Sequence, residues 1–207
     1  MSTALLIIAH EGFQDHEYEG TREGLEDAGY TIVVASTEVG TCSGKYGATE
    51  EATVKLSDVD VSEYDKVAFI GGPGAAALMD DADAHRVARD TVSLGKKLGA
   101  ICIAPAILAR AGVLKGKKAT VWDSGGEQAG LLESEGALYT GKDVTVDGDI
   151  VTANGPLAAE EFGRARAEHP PLTHQPLTLI YRSYHLLRPS LACSGLPSFQ
   201  PAYSSIP

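Results

Sequence analysis

The amino-acid sequence predicts a doubly wound α/β fold, in which a mostly parallel β-sheet lies between layers of helices. Two observations predict it. Short unbroken apolar runs recur along the chain, as expected for strands buried on both faces of a parallel sheet. Segments with apolar residues at helical spacing lie between these runs, so strands and helices alternate through residues 3–167.

The first strand-helix-strand unit lies at the start of the chain. Residues 3–9 are an apolar run, and a polar loop follows it. Apolar or small side chains at helical spacing predict a helix over 17–28, which ends at Gly29. Residues 31–36 form the second buried strand, so a βαβ unit is complete within about 35 residues.

The rest of the chain repeats this alternation. Glycines and short polar pieces between 37 and 60 indicate a small hairpin and a loop. Further strands are expected at 66–70, 98–101 and 118–121, helices at 82–94, at 104–111 and at 157–167, and a hairpin at 144–153. This order is that of a flavodoxin-like sheet, in which ligands bind beyond the carboxyl ends of the strands.

Three features follow three of these predicted strands. They are Glu17, the pair Gly71 and Gly72, and Cys102. Because the carboxyl ends of parallel strands meet at one edge of a sheet, we expect these residues to lie close together at a site.

Cys102 lies where a strand breaks into a helix. Helix amides at such a position can lower a thiol pKa from about 8.5 to between about 3.5 and 7.5, and the thiolate is the nucleophile. The alternative is that Cys102 is a small core residue, as lone cysteines in apolar runs usually are.

Charge and composition restrict the class of protein. The formal net charge is −11, whereas nucleic acids and anionic membranes need a basic surface, so neither is expected as a partner. The first apolar run is too short to span a membrane and has no basic residues before it, which predicts a cytoplasmic protein. Cys42, Cys102 and Cys193 are scattered without CxxC spacing, so no disulfide framework, metal site or cofactor is expected.

The end of the chain differs from the rest. All 28 acidic residues precede residue 169, and seven of the ten prolines follow it. We therefore divide the chain into an α/β domain, 1–167, and an atypical proline-rich extension, 168–207. The extension is interpreted as a translated frameshift or a disordered segment, and no function is assigned to it.

Four segments, in order, resemble the motifs of the ThiJ/PfpI family of the class I glutamine amidotransferase-like superfamily. They are the acidic loop 11–17, the glycine-pair segment 69–74, the segment 100–105 around the cysteine, and the hairpin and helix start at 146–156. The resemblance covers residues 3–167.

The resemblance implies roles for four of the residues. Cys102 would be the nucleophile, and Glu17 a protonated partner that donates a hydrogen bond to the thiolate. The backbone N–H groups of Gly72 and Ile103 would form an oxyanion hole. Burial beside a thiolate would raise the pKa of such a glutamate. Members of this family commonly form homodimers or larger assemblies, so a homo-oligomer is expected.

The sequence also departs from the family pattern. Peptidase-like members carry a histidine directly after the cysteine and a glutamate just after the glycine pair. Here Ile103 follows the cysteine, and 73–77 contains no carboxylate. Other members place a histidine after the following strand, where this chain has Trp122, which cannot shuttle a proton.

Four further residues are candidates for lining the site. They are Trp122, Gly71, His10 and His16. Both histidines lie in the loop before Glu17, and a solvated or loop-capping role is the alternative for each.

Three functions are compatible with this pattern. The favoured one is a cofactor-independent glyoxalase or deglycase, in which Cys102 attacks a small reactive carbonyl or a damaged protein side chain and Glu17 acts as general acid and base. The second is a redox sensor or stress chaperone, in which Cys102 is oxidised to a sulfinate. The third is an intracellular cysteine peptidase, which the missing histidine disfavours.

A nucleotide-binding loop is a weaker alternative. Residues 72–77 formally fit the pattern GxGxxA after a strand. However, Pro73 removes an amide from the proposed phosphate cradle, and no acidic residue ends the next strand about 20 residues on. A tight turn at a strand end explains these glycines.

Overall fold

A seven-stranded sheet is the centre of the computed structural model, which describes residues 2–167. Its strands, in spatial order, are β11 (Val144–Asp147), β12 (Ile150–Ala153), β8 (Lys97–Ile101), β7 (Lys66–Phe69), β1 (Thr3–Ile7), β3 (Thr31–Ser36) and β6 (Val54–Lys55). Neighbouring strands are parallel except β11 and β12, which form an antiparallel hairpin. The predicted mostly parallel sheet is confirmed. The predicted extension 168–207 lies outside the described residues.

Helices cover both faces of this sheet. On one face lie α1 (Asp15–Asp27) and α5 (Ala159–Ala167), and on the other lie α2 (Ala82–Ser93), α3 (Pro105–Arg110) and α4 (Glu127–Ser134). Strand β1 shows why two layers form, because its side chains alternate between the faces. Leu6 packs in the core beneath α1 and α5, whereas Leu5 and Ile7 pack in the core beneath α2 and α3. Within the described residues, no helix is long and apolar enough to cross a membrane.

Two small sheets flank the central one. The first contains β2 (Glu11–Phe13), β4 (Gly40–Gly44) and β5 (Thr49–Ala52), and the second contains β9 (Lys118–Ala119) and β10 (Leu138–Tyr139). Strands β4 and β5 are the hairpin expected between 37 and 60. The strand expected at 118–121 is only two residues long and pairs outside the central sheet.

The structure also contains elements that the sequence did not predict. Helix α4 has one buried residue, Leu132, and therefore lacks the apolar spacing that identifies a helix. Strand β2 is three residues long and lies within the predicted polar loop. Helix α1 begins at Asp15 rather than 17, because the Gln14 side chain caps it by accepting a hydrogen bond from the Glu17 N–H.

Helices α1 and α5 pack closely through glycines. A Cβ atom on Gly163 would lie 2.5 Å from the carbonyl oxygen of Gly20, and one on Gly24 would lie 2.8 Å from the carbonyl carbon of Gly163. These separations are shorter than van der Waals contact, so the two helices can approach this closely only without side chains at these positions. The contact holds α1, and with it Glu17, against the sheet.

Replacing Gly163 by alanine is expected to lower the free energy of unfolding by about 2 kcal/mol, because overpacking outweighs the better helix propensity of alanine. Gly130 in α4 is the matched control, since a Cβ there has no atom within 4 Å. Gly130→Ala should raise the free energy of unfolding by up to about 1 kcal/mol. Urea unfolding measures both, and a Gly163→Ala protein as stable as the wild type would contradict the close packing.

Candidate active site

Cys102 follows β8 in a strained backbone conformation. Its φ is 62°, and among the described residues it is the one non-glycine residue with a positive φ. Hydrogen bonds hold it there: its N–H donates to the carbonyl of Ala153 (2.9 Å), and its own carbonyl accepts from the N–H of Trp122 (2.8 Å). The chain thus turns sharply between β8 and α3, and Cys102 lies at the turn.

The end of β7 brings Cys102 and Glu17 together. A Cβ atom on Gly71 would lie 2.5 Å from the Cβ of Cys102 and 2.7 Å from Oε2 of Glu17. Gly72 has a φ of 107°, and a Cβ there would lie 2.5 Å from the carbonyl oxygen of Gly12. Both glycines are therefore needed for the three segments to meet, as the sequence predicted for three strand ends at one edge.

Glu17 is a fully buried carboxyl group in the first turn of α1. Neither of its oxygens makes a hydrogen bond of good geometry with the described residues. Burial raises its pKa to about 7, although the Cys102 side chain, the Gly71 backbone and the charge of Lys45 act in the opposite direction. A carboxyl group with this pKa exchanges protons readily near neutral pH.

The thiol of Cys102 is shifted in the direction opposite to the one expected. Burial, together with the negative charge of Glu17, raises its pKa to about 12, while the backbone amides of Gly72 and Ile103 lower it. The expected helix effect is small because α3 begins three residues later, at Pro105, and has six residues. Burial thus favours the protonated thiol, and the Glu17 carboxyl group lies beside the sulfur, where it can accept the thiol proton.

The raised pKa of Glu17 agrees with the family resemblance, whereas the raised pKa of Cys102 is opposite to what the resemblance implies. There the glutamate is protonated and the sulfur is a thiolate. In the structure, desolvation opposes the thiolate more strongly than two amides favour it.

A cavity of about 340 Å³ opens next to Cys102. It is lined by Gln14, Glu17, Lys45, Tyr46, Gly72, Pro73, Cys102, Ile103, Trp122 and Pro156. Five of the predicted site residues thus line the cavity, and a sixth, Gly71, lies against Cys102 and Glu17 without lining it. Most of the lining is apolar, which suits a small organic molecule with one reactive polar group.

A protein-family model described as DJ-1/PfpI family matches residues 2–169. The chain belongs to the DJ-1/PfpI family. This confirms the resemblance seen in the sequence and extends it by a few residues.

Two similar proteins have names that state an activity. One is a deglycase of Thermococcus kodakarensis, and the other is a protein of Bacillus subtilis named as a candidate cysteine protease. The deglycase is 30% identical over 73% of this chain and 90% of its own length. The Bacillus protein is 32% identical over 79% of this chain and 96% of its own length. Among solved structures, a ThiJ/PfpI domain protein from Brachyspira murdochii superimposes with a TM-score of 0.77 at 31% identity, covering 81% of this chain and 96% of that one.

The two histidines proposed to line the site do not line the cavity. Nδ1 of His10 lies 3.6 Å from the sulfur of Cys42, in the small sheet. His16 is exposed on α1, with its ring centroid 5.7 Å from that of Tyr46. Successive residues of a helix point about 100° apart, so the inward direction of Glu17 turns the preceding side chain outward.

Lys45 and Tyr46 are cavity residues that sequence reasoning missed. They lie in the turn between β4 and β5, and β4 pairs in parallel with β2, which precedes α1. This pairing joins segments about 30 residues apart and leaves no periodic signal in the sequence. Among the described residues, no group of three histidine, cysteine or acidic side chains is placed to hold a metal ion.

The substitution Glu17→Gln is expected to change the pH dependence of stability. The pKa of Glu17 is about 7 in the folded protein against 4.5 without the fold. Between these values the folded wild type binds more protons than the unfolded chain, so its free energy of unfolding falls as pH rises. One pKa unit corresponds to about 1.4 kcal/mol, so the glutamine variant should gain about 3 kcal/mol relative to wild type across this window.

Urea unfolding at several pH values measures this difference. Glu19→Gln, on the exposed side of the same helix, is the control and should show no such gain. A stability difference between Glu17→Gln and wild type that stays constant from about pH 4.5 to about pH 7 would show that the carboxyl group is not desolvated.

Proposed function

We propose that the protein converts small α-oxo aldehydes to 2-hydroxy acids through Cys102 and Glu17, without a cofactor, as a glyoxalase or deglycase. One observation carries this proposal: a fully buried carboxyl group, whose pKa burial raises to about 7, lies against the Cys102 thiol beside a small cavity. A general base is most efficient when its pKa lies near the working pH. The relative from Thermococcus kodakarensis, named as a deglycase, supports the same reading.

The first step is addition of the thiol to the aldehyde. As the sulfur of Cys102 bonds to the aldehyde carbon, Glu17 accepts the thiol proton, and the carbonyl oxygen becomes an oxyanion. The backbone N–H groups of Gly72 and Ile103 are directed at the sulfur of Cys102. They can therefore also donate hydrogen bonds to the oxyanion, which lies on the carbon bonded to that sulfur. Return of the proton to this oxygen gives a hemithioacetal.

The second step moves a proton between two carbon atoms. Glu17 removes the proton from the former aldehyde carbon, an enediol forms, and the proton returns at the neighbouring carbon. The product is a thioester of a 2-hydroxy acid, in which one carbon has been oxidised and its neighbour reduced, so no external oxidant is needed. Water then hydrolyses the thioester and restores the thiol. Methylglyoxal would yield lactate.

The same chemistry applies to the deglycase alternative. A reversible adduct between such an aldehyde and an amino or guanidino group presents the same carbon atom to Cys102. As the C–S bond forms, the C–N bond breaks, and the thiol proton accepted by Glu17 passes to the leaving nitrogen, which releases the repaired side chain. Trp122, which is 42% exposed at the cavity, leaves the mouth open to a larger substrate.

Two other candidate functions receive less support. The peptidase-like members of the family carry a histidine after the cysteine, and none of the described residues lining the cavity is a histidine. A peroxide sensor needs a thiolate, whereas burial raises the pKa of Cys102. Both observations favour a mechanism in which the thiol is deprotonated only as it attacks.

Cys102→Ser and Glu17→Gln should each reduce lactate formation from methylglyoxal by about 100-fold or more, since one loses the nucleophile and the other the base. Cys42→Ser is the matched control, because Cys42 lies in the small sheet beside His10 and does not line the cavity. Lactate is measured enzymatically. Wild-type rates in both site variants would contradict the proposal.

The value of kcat/KM for methylglyoxal should rise with pH through a midpoint of about 7, since Glu17 must be ionised to accept the thiol proton. Below the midpoint the rate should fall about tenfold per pH unit. A pH series of initial rates on the wild type measures this. A flat profile, or one that falls with pH, would exclude Glu17 as the base.

A further inference from the structure

The Cys102 cavity contains a cationic side chain that the mechanism above does not use. Lys45 lines the cavity together with Cys102 and Glu17. Among the described lining residues it is the single cation, and its ammonium group makes no ion pair within the described part of the chain. Its charge nevertheless acts on the Glu17 carboxyl group. The cavity therefore contains a positive charge near the reacting atoms without an acidic partner of its own.

The backbone that carries Lys45 is firmly held. Its N–H donates to the carbonyl of Phe13 (2.8 Å). The buried carboxylate of Asp15 accepts hydrogen bonds from the N–H groups of Tyr46 (3.0 Å) and Ala48 (2.8 Å). A Cβ atom on Gly44 would lie 2.5 Å from Oδ1 of Asp15, so the carboxylate fills the space beside this glycine.

These contacts attach the β4–β5 turn to the start of the helix that carries Glu17. The Lys45 ammonium group also lies 5.1 Å from the centre of the Tyr46 ring, a cation–π distance. The backbone of Lys45 is therefore fixed at the cavity, and its solvent-exposed side chain lies beside the exposed ring of Tyr46.

We propose that Lys45 makes the Cys102 cavity selective for anionic carbonyl compounds, namely α-oxo aldehydes that also carry a carboxylate. The aldehyde carbon bonds to Cys102 while the carboxylate pairs with the lysine. The chemical steps rest on the proposed function. The substrate carboxylate passes through them unchanged, and hydrolysis of the thioester by one water molecule therefore gives a 2-hydroxy diacid. With a formal net charge of −11 the protein as a whole repels anions, so a local cation at the cavity favours entry of such a substrate there.

The first test does not depend on turnover. Iodoacetate and iodoacetamide have almost the same size, and both alkylate a thiol: a C–S bond forms, iodide leaves, and the thiol proton is lost. The alkylation rate of Cys102 with iodoacetate is divided by its rate with iodoacetamide. This ratio should be about 5-fold lower in Lys45→Met than in the wild type, as expected for an ion pair open to solvent. Intrinsic differences between the reagents cancel because the ratio is compared between proteins.

Lys55→Met is the matched control, since Lys55 is an exposed lysine on β6 that does not line the cavity. It should leave the ratio at the wild-type value. Mass spectrometry of the Cys102 peptide separates this thiol from the other cysteines. An equal ratio in the wild type and Lys45→Met would overturn the inference.

The second test uses turnover. The probes are 4,5-dioxopentanoate and its uncharged methyl ester. The wild type should favour the acid over the ester in kcat/KM, and Lys45→Met should reduce this preference about 5-fold, as should 1 M salt in the wild type. Comparing two substrates on one variant cancels any effect of the substitution on Glu17.

The outcomes separate the two proposals. A wild type that converts neither probe nor methylglyoxal contradicts the proposed function, while the alkylation ratio still decides whether Lys45 selects anions. A wild type that converts both probes with a preference unchanged in Lys45→Met retains the proposed function and overturns this inference.

Discussion

The site depends on Gly71, which follows β7 and has no side chain. Gly71 leaves the space in which the Glu17 carboxyl group and the Cys102 side chain meet, since a methyl group there would come within 2.7 Å of both. The helix α1 and the turn after β8 come from different parts of the chain and could not otherwise approach. Their approach buries the carboxyl group and the thiol against each other, and this burial raises the pKa of both groups.

The sequence predicted those parts of the fold and site that follow from local pattern. Apolar runs identified the main parallel strands, and the rule that strand ends share one edge placed Glu17, Gly72 and Cys102 together. It did not predict α4, whose single buried residue leaves no periodic signal. Lys45 was also missed, because it reaches the cavity through the pairing of β4 with β2.

The raised pKa of Glu17 was predicted from the sequence, but the pKa of the Cys102 thiol could not be. The thiol pKa depends on a balance between two backbone amides, which favour the thiolate, and burial beside a carboxyl group, which opposes it. The position of Cys102 at a strand-to-helix turn indicates that backbone amides favour the thiolate, but it does not show how strongly burial opposes it. The sequence also could not predict the side-chain directions of His10 and His16. Both are close to Glu17 in the sequence, but neither lines the cavity.

The turn that carries Lys45 is held entirely through main-chain donors. The N–H groups of residues 44 to 48 make its hydrogen bonds, and Asp15 and Gly44 supply the complementary shape. Side chains at positions 45 and 46 can therefore be exchanged without removing any of these bonds. For protein engineering, these two positions form a library site at which the cavity wall can be varied while the reacting pair on α1 and β8 keeps its geometry.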